Sequence, residues 1–290
     1  VCRNFINSTA SMIEIGSVYV NYCCLIVYVA NSPTNQKFTT HYKNSNILLR
    51  NRMCYIIYKT TLSRIRRTSV RLRHIKGCED FIHEADECIE EADARTYKGK
   101  WNLLFNNNKN IHIEIGMGKG LFIRRMAARY PDINFIGIEK YTSVLMKAIQ
   151  RLRLDKQSSE NDKTDINLYY ACIDAAILTD IFEYGEVSKI YLNFSDPWPK
   201  ARHSHRRLTD KYFLDIYSTL LETGAKVEFK TDNTALFEYS LESIQNSDFE
   251  LDFYTYDLHN ESRIENIMSE YEEKFSKNGQ KICKLVAIRK

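Results

Sequence analysis

The sequence predicts an α/β fold, a doubly wound and mostly parallel seven-stranded sheet. From Ile111 onward, short apolar runs alternate with longer segments of helical periodicity, which is typical of parallel strands joined by covering helices. Three closely spaced glycines directly after the first run, at 116, 118 and 120, mark a strand, turn and helix unit. The last two apolar runs, 249–255 and 281–288, suit a hairpin-like edge of the sheet.

The individual elements follow from these patterns in chain order. The seven strands are predicted at 111–115, 133–138, 167–171, 188–194, 225–230, 249–255 and 281–288. Helices are predicted at 120–130, 141–153, 175–183, 209–222 and 233–246, with further helical segments at 80–91 and 264–275. The stretch 70–290 is long enough for one α/β domain with a full core. We therefore predict one catalytic domain over 70–290 and a separate extension over 1–69.

The glycine turn at Gly116, Gly118 and Gly120 is a candidate cofactor site. Glycine lets a ligand approach the backbone without a Cβ in the way, and the helix that follows offers free N–H groups. The second strand ends in Glu139, which can accept hydrogen bonds from the ribose hydroxyls of an adenosine. A tight turn that binds nothing is the alternative, and the acid at Glu139 favours a nucleotide-type cofactor.

Two adenosine cofactors fit such a turn. The glycine spacing departs from the G-x-G-x-x-G pattern of dinucleotide sites, and the carboxylate of Glu114 stands directly before the turn. That carboxylate would repel the phosphates of a dinucleotide and attract the sulfonium and ammonium groups of S-adenosylmethionine. S-adenosylmethionine is therefore the predicted cofactor, and a nicotinamide-dependent dehydrogenase is disfavoured.

The loop 193–208 follows another predicted strand and combines an acid, an aromatic ring and several cations. Pro197 and Pro199 restrict the backbone on both sides of Trp198, so the loop presents Asp196 and Trp198 with little freedom. The cations of the loop could bind a phosphate backbone. They are Lys200, Arg202, Arg206 and Arg207. A rigid surface turn with a solvated charged face is the alternative interpretation.

These motifs, taken together, resemble the bacterial tRNA (guanine-N7)-methyltransferase family. The resemblance covers about Arg71 to Lys290 and rests on Glu114–Gly120, Gly137–Glu139, Asn193–Leu208, Phe229–Asn233 and Glu270–Phe275. It implies the Rossmann-like fold of class I methyltransferases, in which the closing pair of strands forms an edge and the last strand is antiparallel. It also implies methyl transfer from S-adenosylmethionine to N7 of a guanine in the variable loop of tRNA.

The resemblance also implies roles for individual residues. Those expected to face S-adenosylmethionine are Glu114, Glu139, Asp174 and Asp196; those expected to contact substrate are Lys200, Asp232, Ser269, Glu270, Tyr271 and Glu272. The family usually has threonine where Ser269 stands. The segment 155–165 is longer and more polar than expected for the family, and the assignment of Asp174 depends on how it is aligned.

Guanine N7 carries a lone pair and no proton, so the implied reaction needs proximity and orientation rather than a general base. We assign Asp196 as the catalytic residue at the boundary between cofactor and base, and Asp232 to the Watson–Crick edge of guanine. Two alternatives remain open. Ser195–Trp198 faintly resembles the signature of exocyclic-amine methyltransferases, and a noncatalytic RNA-binding module could retain the cofactor fold.

Charge divides the chain into two unequal parts. Residues 1–78 hold twelve Lys or Arg and one acid, whereas residues 79–290 hold 29 Lys or Arg and 36 acids. Nucleic-acid binding by the catalytic domain must therefore come from a local patch. For residues 1–69 three interpretations are open: a misassigned start of translation, a disordered or accessory RNA-binding arm, or membrane association, although the apolar run 15–30 is short for a membrane span.

The cysteines predict neither a disulfide framework nor a metal site. The eight cysteines include no C-x-x-C pair and no common zinc spacing with histidine. Reduced thiols and the lack of a signal-peptide pattern are typical of a cytoplasmic protein. We therefore expect a cytoplasmic enzyme with tRNA as its partner, no metal and no stable membrane association, either a monomer or a homodimer.

Overall fold

The computed structural model describes residues 74–158, 167–262, 265–276 and 279–290. The predictions for residues 1–69, and most of those for the polar insertion at 155–165, lie outside the described residues. Within the described part, the strands are β1 (Cys88–Glu90), β2 (Ile111–Ile115), β3 (Asn134–Ile138), β4 (Leu168–Cys172), β5 (Val187–Asn193), β6 (Lys226–Thr231), β7 (Phe249–Thr255) and β8 (Cys283–Arg289).

The helices of the described part lie between these strands. They are α1 (Cys78–His83), α2 (Glu91–Thr96), α3 (Trp101–Phe105), α4 (Leu121–Arg129), α5 (Thr142–Ser158), α6 (Leu178–Ile181), α7 (Lys211–Leu220), α8 (Thr234–Gln245) and α9 (Glu270–Ser276). Short 3-10 turns occur at Ala175–Ile177, Ala201–Arg206 and Leu258–Asn260. Among the described helices, none combines the length and the apolar character that crossing a membrane would require.

The described strands form an eight-stranded sheet in the order β1-β4-β3-β2-β5-β6-β8-β7. All neighbouring pairs are parallel except β6–β8 and β7–β8, because β8 runs antiparallel between β6 and β7. After β2 the chain builds β3 and β4 on one side and then crosses to β5 on the other. The carboxyl ends of β2 and β5 therefore flank the switch point, where open α/β sheets bind their ligands.

The predicted fold class is confirmed, and two local predictions are wrong. The segment 80–91 is not a continuous helix: α1 ends at His83, and Cys88–Glu90 form an extra edge strand beside β4. The physical reason is tertiary, since the backbone along the outer edge of β4 needs partners and Tyr170 N donates to Glu87 O at 2.8 Å. Over the described residues, the sheet thus has eight strands rather than the predicted seven.

The helix predicted at 264–275 begins only at Glu270. Ser269 caps it, because the backbone N–H of Glu272 donates to Ser269 Oγ at 3.2 Å. The preceding residues serve another purpose: the Ile267 carbonyl accepts a hydrogen bond from the Lys230 ammonium at 2.9 Å. A buried cation on β6 therefore binds this segment before the helix begins.

Apolar side chains alternate between the two faces of the sheet. In β3, Ile136 belongs to the larger hydrophobic cluster and the adjacent Phe135 to the smaller one on the opposite face. Both side chains are fully buried. Because helices cover both faces, the sheet edge at the carboxyl ends of the parallel strands is where polar side chains can gather.

Trp101 provides a test of the larger cluster. Its side chain is fully buried, its indole N–H donates to the Ile181 carbonyl at 2.9 Å, and its ring stacks on Phe182 at 5.0 Å. Replacing it by alanine should reduce the free energy of unfolding by about 3–5 kcal/mol, because a large cavity remains. Urea unfolding followed by circular dichroism measures this change.

The matched control for this variant lies in the same helix. Leu103 is 66% exposed, so Leu103→Ala should change the free energy of unfolding by less than about 0.5 kcal/mol. Equal and small losses in the two variants would contradict the assignment of Trp101 to the core.

Candidate active site

The glycine turn after β2 has the backbone that its sequence predicts. Gly116, Gly118 and Gly120 adopt φ values of 71°, 58° and 71°, in the left-handed region that side chains disfavour. The backbone N–H groups of Gly116 and Met117 donate to the Ile138 carbonyl at 2.9 and 3.0 Å, which fixes the turn to the end of β3. A Cβ added at Gly118 would meet no atom within 4 Å and would project into open space.

Glu139 lies directly after β3 and faces this turn. Its carboxylate accepts hydrogen bonds from the backbone N–H of Gly118 at 3.2 Å and of Tyr141 at 3.0 Å. Burial raises the pKa of Glu139, and these two hydrogen bonds oppose the shift. The prediction placed an acid at the end of the second strand of the sheet, and the structure positions it against the glycine turn.

A cavity of about 640 Å³ opens between the glycine turn and the loop after β5. Its size suits a nucleotide-type ligand. Predicted site residues on its wall are Gly116, Gly118, Glu139, Asp174, Asp196, Trp198 and Arg206, and sequence analysis did not single out Lys140, Tyr141, Phe194, His205 or Tyr212, which also line it. Turn and loop thus belong to one site.

Glu114 lies beneath the cavity rather than on its wall. The side chain is 2% exposed, and one carboxylate oxygen, Oε1, accepts a hydrogen bond from Asn193 Nδ2 at 2.8 Å. The other oxygen, Oε2, has no hydrogen-bond partner among the described residues. Burial raises the pKa of the Glu114 carboxyl to about 8. A cation bound nearby would favour ionisation of this acid.

Asp174 stands on the cavity wall just beyond β4, on the far side of the polar insertion. It caps the following turn, since the backbone N–H of Ala176 donates to Oδ1 at 3.0 Å, and it pairs with Lys140 at 3.2 Å. Both side chains of the pair are about half exposed, with values of 49% each. The carboxylate is therefore accessible from the cavity.

The loop after β5 has an unusual backbone. Phe194 and Trp198 adopt φ values of 53° and 40°, which are rare for non-glycine residues and occur often at functional sites. Arg207 holds the loop in this form, because its guanidinium donates to the carbonyl oxygens of Pro197 and Trp198, both at 3.1 Å. Asp196 is exposed on the cavity wall, without a hydrogen-bond or ion-pair partner in the part of the chain described here.

The four predicted phosphate-binding cations separate into two groups. Arg207 is half-buried, braces the loop and lies 4.2 Å from the centre of the Tyr239 ring, so its contacts are internal. Lys200, Arg202 and Arg206 are exposed, and the Arg206 guanidinium lies 4.9 Å from the centre of the Trp198 ring. Three cations therefore face solvent beside the cavity.

Asp232 follows β6, the neighbour of β5, so it shares the sheet edge with Asp196. Its Oδ2 atom accepts hydrogen bonds from the Tyr271 hydroxyl at 3.2 Å and from Gln280 Nε2 at 2.7 Å. The Tyr271 ring in turn packs on Phe194, with 4.8 Å between ring centres. A continuous array of side chains connects Asp232 to the wall of the cavity.

The segment 269–272 does not present all its side chains to a substrate. Glu272 is fully buried and accepts hydrogen bonds from Lys230 at 2.9 Å and from Asn266 at 2.5 Å. Burial alone would raise the pKa of Glu272, but the adjacent Lys230 ammonium holds it below its usual value. Glu272 therefore has internal partners in this structure, and its contact with substrate stays a prediction.

Two further members of this segment also have internal roles. Ser269 caps α9, and Glu270 pairs with Arg151 at 2.7 Å and with Lys119 at 3.2 Å. Tyr271, which is 40% exposed, is the member that faces outward beside Asp232. Of the residues missed by sequence reasoning, Asn193 carried a signal, because it is a polar residue directly after the apolar run 190–192. Lys230 carried none, because charged residues stand at every second position of β6.

The site fits S-adenosylmethionine. The open space above Gly118 accepts a ligand close to the backbone, and the carboxylate of Glu139 suits ribose hydroxyls. Oε2 of Glu114, which has no partner within the described ranges, suits a cation. A dinucleotide would bring phosphates toward the carboxylate of Asp174, which like charge disfavours.

Comparisons with known proteins agree with this geometry. Residues 108–285 match the family described as "Putative methyltransferase". A tRNA (guanine-N(7)-)-methyltransferase of Lachnoclostridium phytofermentans is 49% identical over 221 residues, 76% of this chain and 99% of the relative. The protein of the same name from Bacillus subtilis is 49% identical over 73% of this chain and 96% of that relative. The one from Alkaliphilus metalliredigens is 41% identical over 75% of this chain and 99% of that relative.

The fold and the site define a class I methyltransferase that uses S-adenosylmethionine. The identity over nearly the full length of the relatives is more specific. The chain belongs to the tRNA (guanine-N7)-methyltransferase family.

Glu114 generates a prediction about pH. Its folded pKa of about 8 lies above the unfolded value of 4.5, so the folded chain binds more protons between these values. Without cofactor, the contribution of Glu114 to the free energy of unfolding should therefore decrease as pH rises from 4.5 to about 8 and level off above that value. Urea unfolding of the wild type and of Glu114→Gln at pH 6, 7, 8 and 9 measures it.

The glutamine side chain keeps an oxygen for Asn193 and never ionises. The stability of Glu114→Gln relative to wild type should therefore improve as pH rises toward about 8 and change little above it. A difference between the two proteins that is constant from pH 6 to 9 would show that Glu114 does not carry the raised pKa.

Proposed function

We propose that this chain transfers the methyl group of S-adenosylmethionine to N7 of a guanine in the variable loop of tRNA, with residues 70–290 as the catalytic domain. The supporting observation is the array that leads out of the cofactor cavity. Phe194 lines the cavity and packs on Tyr271, whose hydroxyl donates to Asp232. A planar base beside Phe194 would have the cavity on one side and a carboxylate on the other.

Three acids and the glycine turn hold the cofactor in this proposal. S-adenosylmethionine supplies an electrophilic methyl group on a sulfonium. Glu139 accepts hydrogen bonds from ribose hydroxyls, and Gly118 lets the ligand lie against the backbone. Asp174 on the wall and Glu114 beneath it provide negative charge toward the positive parts of the ligand.

Guanine N7 provides the electron pair for the new bond to carbon, while the bond from carbon to sulfur breaks and its pair stays on sulfur. Because N7 carries no proton, the chain needs no general base. Orientation of the base is therefore the main contribution, worth up to roughly 7–11 kcal/mol. The carboxylate of Asp196, exposed on the wall, stabilises the positive charge that moves onto the purine.

Asp232 reads the Watson–Crick edge of guanine in this scheme. Its Oδ2 atom is held by Tyr271 and Gln280, which leaves Oδ1 to accept from guanine N1–H. Adenine has an acceptor at N1, so the same oxygen would meet a lone pair there. The two hydrogen bonds to Oδ2 fix the orientation of the carboxylate, so discrimination does not require rearrangement of the side chain.

The exposed cations of the loop after β5 provide the surface that binds tRNA in this proposal. Lys200, Arg202 and Arg206 contact tRNA phosphates beside the cavity, and Trp198 shapes the loop between them. The protein acts in the cytoplasm as a monomer or homodimer, and methyl transfer itself requires no metal. The acid-rich composition after residue 78 means that this local patch, rather than net charge, attracts RNA.

Asp232→Asn tests the assignment of base recognition. The amide can set a donor against guanine N1–H. The transition-state stabilisation calculated from kcat/KM for tRNA should therefore decrease by about 2–3 kcal/mol, the cost of an unpaired polar group. The affinity for S-adenosylmethionine should remain near wild type. Methylation of tRNA with labelled cofactor measures the rate, and mass spectrometry of the nucleosides identifies the product.

Asp215→Asn is the matched control, because Asp215 is an exposed acid on α7 that pairs with Lys211. Its kinetics should equal those of the wild type. Normal methylation by Asp232→Asn would remove Asp232 from base recognition, and a methylated exocyclic amine in place of 7-methylguanosine would overturn the proposed reaction.

The three exposed cations generate a prediction about ionic strength. Removing one cation that binds a phosphate should reduce the slope of log K against log salt by roughly 0.7–0.9 and weaken binding to all tRNA sequences alike. We expect this for single alanine variants of Lys200, Arg202 and Arg206. Fluorescence anisotropy of labelled tRNA at several salt concentrations measures the slopes.

Lys98→Ala is the control for this series. Lys98 is also exposed, and its ammonium donates to the Thr179 carbonyl. The next residue, Gly99, donates to Glu186 directly before β5, so Lys98 lies near the amino ends of the strands, away from the active site. Its slope should match that of the wild type. Unchanged slopes in the Lys200, Arg202 and Arg206 variants would show that their charges only contact solvent.

A further inference from the structure

Outside the cofactor cavity, three side chains of different chemistry converge near the start of α1. A nitrogen of His74, the sulfur of Cys78 and a carboxylate oxygen of Glu79 all lie within 4.8 Å of one another. Cys78 Sγ is 4.0 Å from His74 Nε2 and 3.3 Å from Glu79 Oε2, and the His74 nitrogen is 3.2 Å from Glu79 Oε1.

These distances are close to those of a metal coordination sphere. With metal bonds of about 2.3 Å to sulfur and about 2.0–2.1 Å to nitrogen and oxygen, tetrahedral ligands lie about 3.5 Å apart when one is sulfur and about 3.3 Å apart otherwise. Each observed separation lies within about half an ångström of that geometry, although the cysteine and the histidine contact different oxygens of the Glu79 carboxylate. Small rotations of the two exposed side chains would complete it.

The local fold holds the three residues in this arrangement. His74 and Cys78 are four residues apart where α1 begins, and the backbone N–H of Ile75 donates to Ser143 Oγ on α5 at 2.9 Å. The hydroxyl of Thr142 also donates to Glu79 Oε1 at 3.2 Å. The cluster is therefore fixed between α1 and the first turn of α5.

The surroundings of Cys78 differ from those of a core cysteine. Its sulfur lies 3.2 Å from Thr142 Oγ1 and 3.4 Å from Ser143 Oγ, although the residue is fully buried. Cys88, in contrast, packs within the smaller hydrophobic cluster, and burial raises the pKa of its thiol. A polar environment accommodates a thiolate and its metal better than an apolar one.

Exposure gives a metal a route to the sulfur. The side chains of His74 and Glu79 are 61% and 58% exposed, so they form the solvent side of the cluster while Cys78 forms its inner side. Because Cys78 is fully buried, an ion would reach the sulfur once the exposed side chains of His74 and Glu79 rotate.

We propose that His74, Cys78 and Glu79 bind a Zn²⁺ ion, with water as the fourth ligand. Thiolate, imidazole and carboxylate form a donor set that suits zinc and not magnesium or calcium, which prefer oxygen alone. On binding, the Cys78 thiol releases its proton to solvent and His74 coordinates as the neutral imidazole. The two anionic ligands then balance the charge of the ion.

The proposal goes beyond methyl transfer and differs from the expectation of no metal. That expectation rested on the absence of common zinc spacings, whereas these ligands come from positions i, i+4 and i+5. The bound ion would fix the start of α1, which contacts the first turn of α5 through Thr142 and Ser143. That turn follows the cavity residues Glu139 and Tyr141. We therefore expect zinc to stabilise the protein without taking part in the reaction.

Cobalt substitution of the full chain tests the proposal. Co²⁺ bound through Cys78 should give a near-ultraviolet charge-transfer band from thiolate to metal, which addition of Zn²⁺ removes. The band should disappear in Cys78→Ser and persist in Cys88→Ser, the matched control in the same domain. Zn²⁺ should raise the Tm of the wild type and of Cys88→Ser, but not that of Cys78→Ser.

His74→Ala provides a second variant, because its exposed side chain is replaced without disturbing the core. Its zinc affinity should be at least tenfold weaker than that of the wild type in competition with a zinc indicator. A cobalt band of equal intensity in the wild type and Cys78→Ser would overturn the proposal by showing that other cysteines bind the metal. Unchanged zinc affinity in His74→Ala would overturn it as well.

Discussion

The hydrogen bond from Asn193 to Glu114 joins the carboxyl ends of β2 and β5 at the point where the sheet changes direction. The glycine turn leaves one of these strand ends and the acidic loop leaves the other, so the bond connects the two segments that face each other across the cavity. It also leaves a buried carboxylate oxygen with no partner in the described part of the chain, which makes the site more favourable for a cation than for neutral ligands.

A second buried interaction extends the site toward the nucleic acid. Lys230 and Glu272 form an ion pair whose side chains are only 4% and 0% exposed, and His259 also contacts Glu272 at 2.9 Å. Burying two charges is costly, so such a pair is better explained by the geometry it specifies than by net stability. It fixes the segment before α9 against β6, and Tyr271 then reaches both Phe194 and Asp232.

The sequence predicted what depends on local pattern. Apolar runs, the glycine turn and the prolines around Trp198 each act within a few residues. The strands along the chain from Ile111 onward and the positions of Glu139 and Asp196 at strand ends could therefore be inferred. The edge strand Cys88–Glu90 could not, because it forms only through pairing with β4. Nor could the burial of Glu272, since a charged residue in a helical pattern is normally exposed, and only a distant lysine on β6 makes its burial possible.

Arg207 illustrates the same limit within the candidate site. In sequence it is one cation among several, and its function as a brace depends on carbonyl groups that two unusual backbone conformations direct toward it. The resemblance to known relatives identified the segment 269–272 as functional, but only the structure separates the outward Tyr271 from the inward Glu272.

The position of β8 has a consequence for how the protein is made. β6 and β7 are separated in the sheet by β8, which lies later in the chain than either, so neither can complete its pairing until residues 283–289 are available. During synthesis, β6 and β7 therefore each keep an unpaired edge until β8 is made, and unpaired strand edges favour association with other chains. Expression yield should thus depend on temperature and chaperone supply.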